Sequence, residues 1–161
     1  MPINVVILLL FKPSGRGRRF KNLIITPEDH LALSKSILEG YILSRKSNTK
    51  LFVDNCFAPL LSPFKIVPTS FEPCTGARYS LDIDWNMRAI PCSLVGEEGK
   101  VSLKEYSLKD VWFSDSFKKF RNGLIIPKGK CKNCDAFNLC LGGCQAIPEM
   151  NFCNRDNNEV Y

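Results

Sequence analysis

An α+β fold is predicted by three features of the 161-residue sequence. A strand-like apolar run near the N-terminus precedes a capped helical segment and a second short strand. A central stretch alternates apolar and polar residues like a β-hairpin and leads into two serine-capped helices. The remainder, from Lys130 onward, is rich in cysteine and poor in regular pattern. Of eight cysteines, five lie between Cys131 and Cys153. With 45% hydrophobic and 24% charged residues, the composition is that of a globular protein and excludes a disordered chain.

Ile3 to Lys12 reads as the first strand, with Val5 to Phe11 as a buried run that stops at Pro13. The loop Ser14-Gly15-Arg16-Gly17-Arg18-Arg19 follows. Thr26-Pro27-Glu28-Asp29 is a helix start: hydroxyl cap, proline in the first helical position, acids in the first turn. The helix runs to about Arg45, with Leu31, Leu33, Ile37, Leu38, Tyr41 and Ile42 as its apolar stripe. His30 is expected at the surface. Lys50 to Val53 is a short strand, and Asn55 to Phe71, with its prolines, an irregular connector.

Tyr79 to Asp84 and Arg88 to Cys92 pair as a hairpin, with Asp82 and Asp84 expected in solvent. Ser107 caps a helix through Phe113, and Ser114 caps another to Arg121, which Asn122-Gly123 ends. Val111, Trp112, Phe117 and Phe120 are their buried anchors.

Clustered cysteines imply bonds: disulfides, zinc or iron–sulfur. The apolar N-terminal run lacks a preceding Lys or Arg and a following cleavage site. It is also shorter than the roughly 20 residues a membrane helix needs. A reducing cytoplasm is therefore expected, and disulfides lose ground. Cys131-Lys-Asn-Cys134 is a C-x2-C, with Cys140 and Cys144 close behind. Two thiolates so spaced point inward together with backbone N–H groups. Gly142 and Gly143 permit positive φ beside a bulky centre. Cys74, Cys92 and Cys153 are further ligand candidates.

These residues resemble a known family. Cys74, Cys92, the run C-K-N-C-D-A-F-N-L-C-L-G-G-C from Cys131 to Cys144, and Cys153 look like the seven-cysteine SPASM domain. Such domains close many radical S-adenosylmethionine (SAM) enzymes that modify peptides and proteins, among them anaerobic sulfatase-maturating and peptide-maturase enzymes. The stretch from Trp112 to Arg121 is similar to family usage as well. The strand, the F-K-P-S-G-R-G-R loop and the capped helix resemble the closing βα unit of the radical-enzyme partial barrel. The resemblance divides the chain into a barrel remnant, residues 1–55, and a SPASM domain, residues 56–161, with a hairpin, short helices and irregular cluster-binding loops.

The resemblance implies two auxiliary [4Fe–4S] clusters. Cys131, Cys134, Cys140 and Cys153 would hold the distal one, and Cys74, Cys92 and Cys144 the one nearer the active site. Cys56 is the candidate for an eighth ligand; its other reading is a buried free thiol. The family usually has Gly five residues before the second cysteine, where this chain has Met87, so Asn86 is expected in the left-handed region at that turn. The C-x3-C-x2-C motif that binds the SAM cluster is absent from the sequence, since Ile147 stands three residues after Cys140-x3-Cys144. The chain is thus expected to serve electron relay and substrate-peptide positioning, not to cleave SAM alone. Its expected partners are a peptide or protein substrate and a chain supplying the barrel. Neither membrane nor nucleic acid is expected.

The formal charge of +6 suits nucleic acid, but two clusters of about −2 each would lower it to about +2. Arg16, Arg18 and Arg19 read as a solvated loop or, at the C-terminal end of a barrel strand, as part of the parent enzyme's active site. The competing reading of the whole is a zinc-binding module for nucleic acid or protein, since zinc uses the same C-x2-C unit. A truncated product that does not fold is the third.

Overall fold

Two small sheets organise the chain. The computed structural model describes residues 3–26, 28–61, 73–150 and 153. Pro27 and residues 62–71 of the expected connector therefore lie outside the described residues. Strand β1 (Val5–Leu8) pairs in parallel with β2 (Lys50–Val53), in register from Val5 opposite Lys50 to Leu8 opposite Val53. Helix α1 (Asp29–Lys46) is the crossover between them, as parallel pairing demands. The second sheet is an antiparallel meander of β3 (Asp82–Ile83), β4 (Arg88–Ile90) and β5 (Val101–Ser102). Mixed helix and strand, the architecture is α+β, as the periodicities predict.

The parallel pair departs from expectation. Val5, Val6 and Ile7 are exposed, so most of β1 is not buried; among the described residues no third strand joins its sheet. On α1 the inward face is His30, Ser34 and Ile37, at helical spacing i, i+4, i+7. His30 is therefore interior. Tyr41 and Ile42, expected in the stripe, are exposed. The helix starts at Asp29, later than the sequence suggests, and no side chain caps it; the Thr26 hydroxyl donates instead to Asp29 Oδ2 at 2.8 Å. The arginine-rich loop is a 3-10 turn over Gly15–Leu23, with Arg16, Arg18 and Arg19 in solvent.

Two cores follow. The first joins Leu10 and Ile37 to Phe57, Leu60 and Leu61 of the segment that includes α2 (Ala58–Leu61), and to Ile147 and Met150. It spans residues on both sides of position 55. The second packs Ala77, Ala89, Val111 and Phe117, with Trp112 and Phe120 half-buried beside them. Helix α3 (Leu108–Trp112) carries a full capping box in which Ser107 and Asp110 exchange hydrogen bonds; Ser114 caps α4 (Asp115–Ile125) through Phe117 N–H. Helix α4 continues past Asn122-Gly123 because Leu124 is fully buried. Burying a leucine contributes about 1.5–3 kcal/mol, which exceeds the ~1 kcal/mol that an interior glycine costs. Arg121 ties α4 to the meander, donating to Ala77 O at 2.7 Å and to Trp112 O at 3.0 Å while lying over the Trp112 ring.

Asp84 is not free in solvent either. It takes Arg88 at 2.7 Å and Lys100 at 3.3 Å, and the Arg88 bond holds its carboxyl well below the usual range. Its Oδ1 also accepts from Asn86 N–H and Arg88 N–H. The turn so tied puts Met87, not Asn86, at positive φ, +60°.

Candidate metal centre

The parallel pair sets the site. Parallel strands bring their C-terminal ends together, and the pairing continues past β2 as Asp54 N–H donates to Leu8 O. Lys12 and Asp54, 42 residues apart, thereby meet at 2.6 Å. Asp54 Oδ1 accepts Cys56 N–H at 3.1 Å and caps the 3-10 turn Asn55–Phe57, which fixes where the Cys56 side chain points. Burial opposes the Lys12 charge, but Asp54 and the Cys56 sulfur outweigh it and raise the lysine's pKa.

A cavity of about 280 Å³ opens here, lined by Lys12, Cys56, Cys74, Cys92, Cys140 and Cys144 among others. None of the eight cysteines forms a disulfide. Four of them interact around this cavity. The Cys56 thiol donates to the Cys144 sulfur; that bond, with burial, pushes Cys56 far up. The same bond holds Cys144 down, aided against burial by the N–H groups of Ile147 and Ala146. Burial raises Cys74 and Cys92, with repulsion from Cys144 on both and from Cys74 on Cys92.

The other four form a second set. Burial raises Cys140, and repulsion from Cys134, Cys153 and Cys131 adds to it. Cys131 lies in the 3-10 turn Gly129–Asn133, which Cys134 ends; Cys140 closes α5 (Phe137–Cys140). Between Cys140 and Cys144 the chain winds through three positive φ angles: Leu141 at +51°, Gly142 at +74° and Gly143 at +90°. Only glycine takes the last two without strain, so the pair Gly142-Gly143 lets Cys144 reach Cys56 while Cys140, still on the cavity wall, faces the second set.

One hydrogen-bond pattern recurs at the sulfurs. Cys74 accepts from Gly76 N–H, Cys92 from Leu94, Cys140 from Gly142 and Cys144 from Ala146, each two residues ahead. Cys144 also accepts from Ile147 N–H at 3.3 Å. An N–H aimed at sulfur favours thiolate over thiol, the form that ligates metal. Among the described residues no group of three or more His, Cys, Asp and Glu side chains is drawn together to hold a single metal ion. The first four cysteines surround a cavity instead of meeting at a point.

Every cysteine singled out in the sequence falls in one of the two sets, including Cys56. Sequence reasoning missed Lys12, Asp54 and Asp82, the last also on the cavity wall. The signal for the first two was the parallel pairing, which puts the residues just after two strands side by side. No helix among the described residues is long and apolar enough to cross a membrane.

Residues 74–135 match the family model for SPASM, an iron–sulfur cluster-binding domain. The chain is also similar to a cysteine-type anaerobic sulfatase-maturating enzyme of Clostridium novyi (strain NT), 32% identical over 73 residues. That match covers 44% of this chain and 20% of the relative, so the similarity spans about a fifth of the relative's length. No solved structure matches.

Proposed function

Starting from a SPASM domain at residues 74–135, we propose that the chain binds two auxiliary [4Fe–4S] clusters as part of a radical SAM enzyme that matures a peptide or protein. The observation that carries this reading is the division of eight thiols into two interacting sets of four. Cys56, Cys74, Cys92 and Cys144 would hold one cluster, and Cys131, Cys134, Cys140 and Cys153 the other. The donors fit: all are sulfur, one set surrounds a cavity, and four of the sulfurs receive a backbone N–H from two residues ahead.

Such clusters supply one-electron storage at potentials tuned by burial and N–H···S bonds. The chain's own residues set those terms. Gly76, Leu94, Gly142, Ala146 and Ile147 direct N–H groups at sulfur, and Asp54 orients the Cys56 turn. Cys140 reaches the cavity wall from the second set, which makes electron relay between the two sites the natural use. The unit β1–α1–β2 acts as the end of a partial α/β barrel, whose remaining part carries SAM cleavage; substrate peptide is positioned between them, in a reducing cytoplasm.

Anaerobic reconstitution with iron and sulfide tests the reading. About eight irons per chain and a brown colour that bleaches on reduction are expected. A colourless chain that retains stoichiometric zinc and rejects iron overturns it. Cys56→Ala should halve the iron, and full, equally stable loading would remove Cys56 from the donor set.

A further inference from the structure

Two charged side chains stand among the cavity's lining residues, Lys12 and, nearer Cys92, Asp82. Lys12 lines the cavity, on the wall that carries Cys56. Its ammonium is held by Asp54 at 2.6 Å, and the two side chains are 27% and 7% exposed. Asp54 is not among the residues that line the cavity; its carboxylate takes the lysine and the Cys56 N–H. The pair is therefore a dipole, not a neutral plug, with its positive end at the cavity. A surface ion pair would be worth little; a half-buried one that aims a cation at a cluster site has an electrostatic use.

We infer that Lys12, oriented by Asp54, is a positioning residue for charge: it favours the reduced, more negative state of the cluster held by Cys56, Cys74, Cys92 and Cys144. This rests on the two-cluster reading above. Reduction adds one electron to the site. A cation on the wall of that site interacts more favourably with the added charge than with the oxidised state. The effect to look for is of the order of a tenfold change in a one-electron equilibrium, or about 59 mV. Charge and hydrogen bonding around the ligands are levers on cluster potential.

The signs separate this role from a structural one. Lys12→Met removes the cation and leaves the Asp54 carboxylate, so one midpoint potential should fall by a tenfold equilibrium change, about 59 mV. Asp54→Asn keeps a side-chain oxygen to cap Cys56 N–H but frees Lys12 of its counter-charge, so the same potential should rise. Lys12→Arg should leave it in place. The experiment is a dithionite titration of the reconstituted full chain, followed by the paramagnetic signals of the reduced clusters. Iron content is measured on every variant. Wild-type chain that loads no iron defeats the cluster reading itself. Loaded variants in which neither potential moves, or in which Lys12→Met and Asp54→Asn move it the same way, overturn the role of Lys12 alone. Should Lys12→Met fail to load, Asp54→Asn retains the lysine and carries the test: no rise in potential overturns the inference.

Discussion

The meander–helix unit, residues 76–126, and the cysteine turns with the β1–α1–β2 unit are built on opposite principles. The first is held by its own contacts. Ala77, Ala89, Val111 and Phe117 bury completely, two serines cap its helices, and Arg88, Lys100, Asp84 and Glu97 interlock across its turns. The second has one shared core and several short turns of three to five residues. Its cysteine turn directs the N–H groups of Gly142, Ala146 and Ile147 at sulfur, and it leaves most of β1 open to solvent. A segment whose hydrogen bonds end on thiols in place of a ladder depends on what those thiols bind.

The largest expected effect is therefore that of the metal. Chelating iron from reconstituted chain should abolish amide-exchange protection over residues 129–147 and around Cys56. Residues 82–90 and 108–125 should keep theirs. Loss of protection in both regions at once would make the two a single cooperative unit and erase the contrast. Phe117→Ala strikes the other side. Phe117 is fully buried, and truncating such a ring costs about 3–5 kcal/mol. Urea unfolding followed through Trp112 should show that loss in the apo chain. A change under 1 kcal/mol would mean that the second core contributes little.

The self-contained region was also the more legible one. Ser107 and Ser114 cap helices by contacts three residues long, and the hairpin follows from alternation over a few positions; both signals are local. The pairing of Lys12 with Asp54 is not, because 42 residues separate them and only the parallel register joins them. The inward face of α1 was misread for a related reason. Its most apolar residues include Tyr41 and Ile42, yet these are exposed, while His30 and Ser34 are buried; hydropathy marks what could be covered, not what is. The spacing of the cysteine array points to iron–sulfur ligation and offers Cys56 as a candidate eighth ligand; its place on the cavity wall beside Cys144 came with the fold, since its sequence distance from Cys74 carries no information about the cavity.

The smallest effect sharpens the comparison at its most local point. Met87 sits at φ +60° because Asp84 binds the N–H groups of Asn86 and Arg88, and because its own N–H and C=O are used, to Asp84 and from Leu103. The left-handed conformation costs a side-chain-bearing residue about 1–2 kcal/mol, and replacing it with glycine returns roughly 0.5–1 kcal/mol to the flexibility of the unfolded chain. The side chain is 49% exposed, so little packing is lost. Met87→Gly should accordingly stabilise the meander by about 0.5 kcal/mol, read as a higher urea midpoint at unchanged slope, with iron loading as in the wild type. If the midpoint falls instead, the Asp84 turn is not strained and Met87 contributes packing that its exposure conceals. If iron loading changes with it, the two regions communicate through the strand that leads from Met87 to Cys92, the thiol that the meander unit contributes to the cavity.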